Sequence, residues 1–142
     1  MKIQHILATK GTRVVTIEPD ATIQEAITTL VAHNIGALVV INDASKPIGI
    51  ISERDIIRAA IKHNNLLSLA VRTLMVREIV TGMPDDDLEA VAHTMTEMRI
   101  RHVPVVEHEK LVGILSIGDV VKAQRDQYEG ELYTLQSQIL AE

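Results

Sequence analysis

Two short stretches of the chain combine residue types that can bind a sugar and a phosphate. Residues 49–55 read Gly-Ile-Ile-Ser-Glu-Arg-Asp, and residues 113–119 read Gly-Ile-Leu-Ser-Ile-Gly-Asp. In each stretch an apolar run typical of a buried strand ends in a Ser, and an Asp follows three residues later, in the first turn of a predicted helix. Backbone N–H groups at a helix start favour anions, a Ser hydroxyl adds a donor, and an ionised Asp accepts hydrogen bonds from paired hydroxyls. The pattern therefore indicates a phosphate-and-sugar site.

The same Ser-x-x-Asp spacing has a purely structural interpretation. It is also a capping box, which satisfies backbone donors at a helix start and needs no ligand. A single copy favours the cap. Two copies strengthen the interpretation as a ligand site, and both interpretations stay open.

Composition narrows the classes of protein to consider. The chain has 142 residues, of which 46% are hydrophobic, and its only aromatic residues are Tyr128 and Tyr133. The core must therefore be aliphatic, and no aromatic platform is present for stacking single-stranded nucleic acid. A net charge of −5 without a long Lys/Arg cluster disfavours a general nucleic-acid binder and a membrane-surface protein.

Cysteine is absent, which excludes disulfides, thiolate metal sites and cysteine nucleophiles. The N-terminal residues do not read as a secretory signal. No apolar run approaches the ~20 residues that a membrane-spanning helix needs. We therefore expect a cytoplasmic protein with no membrane partner.

The strongest organisational feature is an internal repeat. Residues 80–85 (Val-Thr-Gly-Met-Pro-Asp) match residues 15–20 (Val-Thr-Ile-Glu-Pro-Asp) at an offset of 65 residues. Farther along, the offset drops to 64 residues, which pairs Ser52 with Ser116, so we predict a one-residue deletion in a hairpin turn. A unit of about 60 residues is too small to bury a comfortable core alone. The two copies are therefore expected to pack face to face around a pseudo-twofold axis.

Apolar spacing predicts the order strand, helix, strand, strand, helix in each repeat, hence a mixed α/β (α+β) fold. Thr22 and Glu25 are predicted to form a capping box on the helix that follows. We expect a short helix over residues 1–8 before the first repeat and a helical segment over residues 66–76 before the second. The predicted boundaries are 1–64 for the first repeat, 65–125 for the second and 126–142 for a C-terminal helical tail.

The tail carries an apolar stripe. Tyr128, Leu132, Leu135 and Ile139 recur at the four- and three-residue spacing of a coiled-coil seam. The stripe either packs back on the domain or makes a homodimer, and fewer than two heptads do not decide between the two.

Together these residues resemble a tandem pair of cystathionine-β-synthase (CBS) domains, the arrangement called a Bateman module. The resemblance rests on residues 15–20 and 35–40 of the first copy and residues 80–85, 101–106 and 113–119 of the second. It covers about residues 1–125 and leaves no catalytic domain over.

The resemblance implies regulation by an adenosine-containing ligand, namely AMP, ADP, ATP or S-adenosylmethionine, bound in clefts between the repeats. It implies that Asp55 and Asp119 hold the ribose hydroxyls and that Ser52 and Ser116 lie beside the ribose and phosphate. Basic side chains near the phosphates would be Arg54, Arg101 and His102, with surface ion pairs to Glu53 or Glu97 as the alternative. The candidates for the apolar adenine slots are Thr16, Ile17, Ala37 and Ile48 in one repeat and Thr81, Gly82, Met83, Val103 and Val112 in the other.

Catalysis and metal binding are not visible in the sequence. The six histidines lack ligand spacing, and residues 85–87 (Asp-Asp-Asp) are better placed to cap a helix than to bind Mg²⁺. There is no nucleophile elbow, Walker loop or Rossmann fingerprint. We therefore expect a non-catalytic sensor without metal or cofactor, acting as a homodimer on a regulated partner protein. The alternatives are a dimeric scaffold that binds no ligand and docks a partner enzyme, and, less favoured, a small hydrolase using Asp55 or Asp119 as base.

Overall fold

A computed structural model describes residues 1–141, and its elements follow the predicted order. Two repeats of alternating helices and short strands are preceded by a helix and followed by a long one, so the predicted fold class is confirmed. The helices are α1 (Ile3–Lys10), α2 (Ile23–His33), α3 (Glu53–Ala60), α4 (Val71–Leu74), α5 (Leu88–Met98) and α6 (Ile117–Ala141), and the strands are β1 (Thr16–Ile17), β2 (Ala37–Ile41), β3 (Pro47–Ser52), β4 (His102–Glu107) and β5 (Lys110–Ser116).

Each repeat contains one small sheet. In the first, β2 pairs parallel with β1 and antiparallel with β3. In the second, β4 pairs antiparallel with β5, and the strand expected before α5 is reduced to a single parallel bridge between Gly82 and Val105. Gly82 is at the position in the second repeat that Ile17 occupies in the first. Glycine weakens a strand because it loses more backbone entropy on folding than other residues and has no side chain to pack.

The hairpin registers explain the change of offset between the repeats. Val40 faces Gly49 in the first hairpin, and Val105 faces Gly113 in the second, so the second hairpin is one residue shorter. Its turn is tight, with positive φ at two consecutive residues, His108 and Glu109. The predicted one-residue deletion therefore lies in this turn.

The segment that precedes each repeat, here called its lead-in segment, packs on the other repeat, so the lead-in segments are exchanged. Ile3, Ile6 and Leu7 of α1 are buried in the core of the second repeat, against residues that include Leu88 and Leu115. Conversely, the segment before the second repeat buries its apolar side chains in the core of the first: they include Val71 and Met75. Each sheet is thus covered by the lead-in of the other repeat, which joins the two halves.

The predicted helical segment over residues 66–76 is confirmed only in part. The segment forms a 3₁₀ turn at Leu66–Ser68 and the four-residue α4, separated by extended backbone at Leu69 and Ala70. Its backbone bonds to the first repeat instead: Val71 N–H donates to Ala21 O (2.8 Å), and Leu69 O accepts from Ile23 N–H (2.8 Å). These long-range bonds outweigh the local helical preference.

Helix α6 extends from the second repeat well past its core. The four side chains of the predicted seam are 54–65% exposed, so none packs back on the described residues of its own chain. Among residues 1–141, no helix is both long and apolar enough to cross a membrane.

Candidate functional site

Both Ser-x-x-Asp pairs form capping boxes. Asp55 Oδ2 accepts hydrogen bonds from Ser52 N–H (2.9 Å) and Ser52 Oγ–H (2.8 Å), and Ser52 Oγ accepts from Asp55 N–H (3.2 Å). Asp119 Oδ2 accepts from Ser116 N–H (2.9 Å), and Ser116 Oγ accepts from Asp119 N–H (3.1 Å). The structural interpretation is therefore correct for both pairs. Within residues 1–141 no hydrogen bond uses Oδ1 of either Asp, so capping leaves each carboxylate one oxygen for another partner.

A cleft of about 930 Å³ lies between the repeats. It has walls from β3 and α3 of the first repeat, from the connecting residues 76–80, and from the end of α5 and the start of β4 in the second repeat. Such a volume is within the range of small-molecule sites. Six of the predicted site residues line this cleft: Ser52, Arg54, Asp55, Arg101, His102 and Ser116.

The other predicted site residues lie elsewhere. Thr81, Gly82 and Val103 line a second cavity of about 270 Å³ on the second repeat. Neither cavity includes the remaining ones, which are Asp119, Thr16, Ile17, Ala37, Ile48, Met83 and Val112.

The apolar wall of the cleft comes largely from residues that sequence analysis did not assign to a site. Ile79 and Val80 belong to the connecting segment, and Ile50 and Ile100 come from the two repeats. Val76 is fixed to the edge of β3 because its N–H donates to Ile50 O (2.8 Å) and its carbonyl accepts from Ile50 N–H (3.0 Å). Each predicted adenine slot draws on strands of a single repeat. The exchange of lead-in segments, which no local pattern signals, adds the connecting segment to the cleft wall.

Four arginines line the same cleft: Arg54, Arg58, Arg99 and Arg101. None of them forms an ion pair within residues 1–141, so the predicted alternative of pairing with Glu53 or Glu97 is not observed there. The lining also holds three carboxylates, those of Glu53, Asp55 and Glu78. The cleft is thus locally cationic in a chain of net charge −5, which favours an anionic ligand.

Two of these arginines, Arg58 and Arg99, are not among the predicted site residues. Arg58 follows Arg54 by four residues, so the two project from the same face of α3, and this spacing was a usable signal. Arg99 lies one residue past the end of α5 with left-handed backbone (φ 54°). Nothing in its local sequence indicated that it would reach the cleft.

His102 is partly buried at the start of β4. Burial lowers the pKa of its imidazole below the ordinary value, and the nearby positive charges of Lys10 and Arg101 lower it further, against the opposite effect of Asp119 and Glu53. At neutral pH the ring is therefore neutral. A neutral ring can donate a hydrogen bond to a phosphate without adding positive charge, and the role of His102 near the phosphates stays a prediction.

Asp119 lies in a different environment from Asp55. Lys10 Nζ donates to Asp119 Oδ2 (2.6 Å) and to Ile114 O (2.7 Å). Partial burial tends to raise the pKa of Asp119, but the bonds from Lys10 and Ser116 outweigh it, and the pKa lies below its ordinary value. Within residues 1–141 no group of three or more His, Asp or Glu side chains is arranged to hold a metal ion.

Comparison with known proteins supports the family suggested by the motifs. The CBS domain signature matches residues 7–62 and again residues 71–126. The CBS-domain protein ATU1752 from Agrobacterium tumefaciens has a crystal structure with a TM-score of 0.84 at 40% identity, covering 87% of this chain and 99% of that one. The mitochondrial CBS domain-containing protein CBSX3 of Arabidopsis thaliana is 35% identical over 125 residues; these cover 84% of this chain but only 61% of the relative.

A third relative has been solved with ligands. The CBS domain pair of protein MJ0100, crystallised in complex with 5-methylthioadenosine and S-adenosyl-L-methionine, has a TM-score of 0.79 at 27% identity and covers 89% of this chain and 98% of that one. The two signature matches coincide with the two repeats, and the solved pairs share their arrangement. The predicted family is confirmed, and the chain belongs to the CBS domain family as a tandem pair of CBS repeats.

Proposed function

We propose that this CBS pair is a non-catalytic regulatory module that binds a phosphate-bearing adenosine ligand in the cleft between its repeats. The observation that carries the proposal is the position of Asp55 on the cleft wall, with a carboxylate oxygen left over from capping, in the same cleft as four arginines that have no ion-pair partner in residues 1–141.

The ribose is assigned to Asp55. Its Oδ1 is available for the vicinal hydroxyls, while Oδ2 is held by Ser52 and fixes the side-chain orientation. Hydrogen bonds to a charged group contribute about 1.5–3 kcal/mol each. The capping box thus serves the site, because it orients the carboxylate before a ligand arrives.

The adenine is assigned to the apolar part of the cleft. Ile50, Val76, Ile79 and Val80 form a wall without aromatic side chains. Backbone groups of Ile79 and Val80 in the connecting segment are expected to supply the donors and acceptors that a purine edge needs.

The phosphates are assigned to the arginines. Arg54 and Arg58 approach from the first repeat, and Arg99 and Arg101 approach from the second, so an anion between them joins the two halves. MJ0100 has been solved with S-adenosyl-L-methionine, which carries a sulfonium cation. With four guanidinium groups in the cleft of this chain, we expect AMP, ADP or ATP to bind more tightly than S-adenosylmethionine.

The exposed stripe of α6 supports a second candidate function. Tyr128, Leu132, Leu135 and Ile139 present a seam that the described part of the chain leaves uncovered, and its spacing suits a second copy of the same helix. We propose that the chain is a homodimer through this seam. A scaffold that docks a partner enzyme without binding ligand is the alternative, and a cytoplasmic location stays a prediction.

A ligand screen tests the proposal. Differential scanning fluorimetry with millimolar AMP, ADP, ATP, S-adenosylmethionine and NAD is expected to raise the Tm for the adenine nucleotides, because stabilisation grows as RT ln(1 + [L]/Kd). Isothermal titration calorimetry then gives the order of affinities. An unchanged Tm with every compound would contradict the sensor and favour the scaffold.

A further inference from the structure

Lys10 gives the equivalent aspartates of the two repeats, Asp55 and Asp119, different electrostatic environments. Its ammonium lies between Asp119 Oδ2 (2.6 Å) and the carbonyl of Ile114 on β5 (2.7 Å). The Lys10 and Asp119 side chains are only 32% and 24% exposed, so this pair is screened by water less than an ordinary surface ion pair. Lys10 is the last residue of α1, and Gly11 (φ 100°) turns the chain away immediately afterwards.

The first repeat satisfies the equivalent groups differently. Ile50, the counterpart of Ile114, has its carbonyl bonded by the backbone N–H of Val76 (2.8 Å). Asp55, the counterpart of Asp119, has no ion pair within residues 1–141, and it lines the cleft. The carbonyl is thus bonded by a lysine side chain in the second repeat and by a backbone N–H in the first. The lysine places a cation in an ion pair with Asp119, whereas Asp55 has no such partner within residues 1–141.

We propose that Lys10 determines which repeat binds the sugar: it neutralises the charge of the Asp119 carboxylate through Oδ2, so that a ribose diol binds more tightly at Asp55, whose carboxylate has no ion pair within residues 1–141. This inference rests on the proposed function. Oδ1 of Asp119 takes part in no hydrogen bond within residues 1–141, as in Asp55, but the ammonium of Lys10 offsets the negative charge that strengthens hydrogen bonds from a diol to this carboxylate.

Displacement has a structural consequence. Lys10 is continuous with α1, whose apolar face is buried in the core of the second repeat. A ligand that displaces the ammonium therefore removes a bond that ties the end of α1 to β5. Binding that displaces Lys10 from Asp119 is thus coupled to the N-terminal helix, whereas binding at Asp55 is not.

Titration calorimetry of the full chain with AMP tests the inference. Wild type is expected to bind one AMP per chain, and Lys10→Met is expected to bind a second AMP at least ten times more tightly than wild type does. The double variant Lys10→Met/Asp119→Asn is expected to bind one AMP per chain, as wild type does. Lys10→Arg, which keeps the charge, and Lys62→Met, which removes an exposed lysine outside both cavities, are expected to behave as wild type.

The outcomes separate the inference from the proposed function. If wild type binds AMP at Asp55, as shown by loss of binding in Asp55→Asn, and Lys10→Met adds no second event, the role of Lys10 is overturned and the sensor stands. Two equal AMP sites in wild type also overturn it. If neither wild type nor Lys10→Met binds AMP, ADP or ATP, both proposals fail. Lys10→Gln, which keeps a donor for Ile114 O, replaces Lys10→Met if circular dichroism shows that the latter does not fold.

Discussion

Arg99 and Asn34 occupy the same position in the two repeats, one residue past the end of a helix, and both have left-handed backbone (φ 54° and 51°). Asparagine is a common residue at this position, whereas for arginine the conformation costs about 1 kcal/mol or more. Arg99 lines the cleft, and Asn34 does not. Under the proposed function Arg99 binds the phosphate of the ligand, and that role would account for an arginine at a position with backbone strain.

Arg99→Asn is therefore expected to change stability and binding in opposite directions. The free energy of unfolding should rise by up to about 1 kcal/mol, because asparagine fits the left-handed backbone better. Nucleotide affinity should fall roughly tenfold, because a hydrogen bond to a charged group is lost. Urea unfolding and titration calorimetry measure the two effects. The matched control is Asn34→Arg, which should lower stability by a similar amount and leave affinity unchanged.

Asp55→Asn is expected to weaken adenine-nucleotide binding by about 10- to 100-fold, because the amide loses the charge that strengthens hydrogen bonds from the ribose. Asparagine still offers an oxygen to Ser52 N–H, so α3 should keep its start and the Tm without ligand should change little. Asp119→Asn is the control and should leave this binding event intact. Equal losses in the two variants would show that the ribose is wrongly placed.

His102 gives the protein a defined response to acid. Above its ordinary pKa of 6.5, the ring is neutral in the folded and the unfolded chain, and it contributes no pH dependence. As the pH falls through 6.5, His102 becomes protonated in the unfolded chain but stays neutral in the folded chain, where its pKa is lower. The free energy of unfolding therefore decreases. His102→Gln should remove this part of the loss as the pH falls below 6.5, measured by urea unfolding.

The same histidine reports on the ligand. A phosphate bound among the arginines places negative charge near the ring, and it should raise the pKa of His102 back toward its ordinary value. Titration of the ring signals by NMR, with and without AMP, measures the change. An unchanged pKa in the presence of saturating AMP would place the phosphate away from β4.

The sequence was informative where structure depends on local pattern. The capping boxes at Thr22 and Ser52 could be predicted because each follows from residue types three positions apart, and the repeat and the hairpin deletion could be predicted because short stretches of the two copies match. The contents of the cleft wall could not be predicted from pattern, because they depend on the exchange of lead-in segments. The bond from Lys10 to Asp119 joins residues 109 apart in the chain and has no local signal.

Gly113 provides a test of the exchange itself. A Cβ built on Gly113 would lie 2.8 Å from the nearest side-chain atom of Leu7, which is itself buried in the second core. Gly113→Ala is therefore expected to destabilise the fold by about 1–3 kcal/mol, because the buried Leu7 side chain must shift, and α1 with it where the core leaves no room. Gly130→Ala is the control: a Cβ there meets nothing within 4 Å, and alanine should stabilise exposed α6 by up to about 1 kcal/mol. Equal Tm values for Gly113→Ala and wild type would show that α1 does not pack tightly there.

The seam of α6 predicts how the chain associates. If two copies pair through this stripe, replacing Leu132 and Leu135 together with Ser should convert dimer to monomer, because both side chains lose their apolar contacts across the interface. Their exposure of 56% and 54% means that the monomer itself loses little by the change. Multi-angle light scattering after size exclusion gives the mass of each species. Thr134→Ser and Gln136→Ser, which alter neighbouring positions outside the seam, should remain dimeric. Truncation after Gln124 removes the seam altogether, and a truncated chain that is still a dimer would assign the association to another surface.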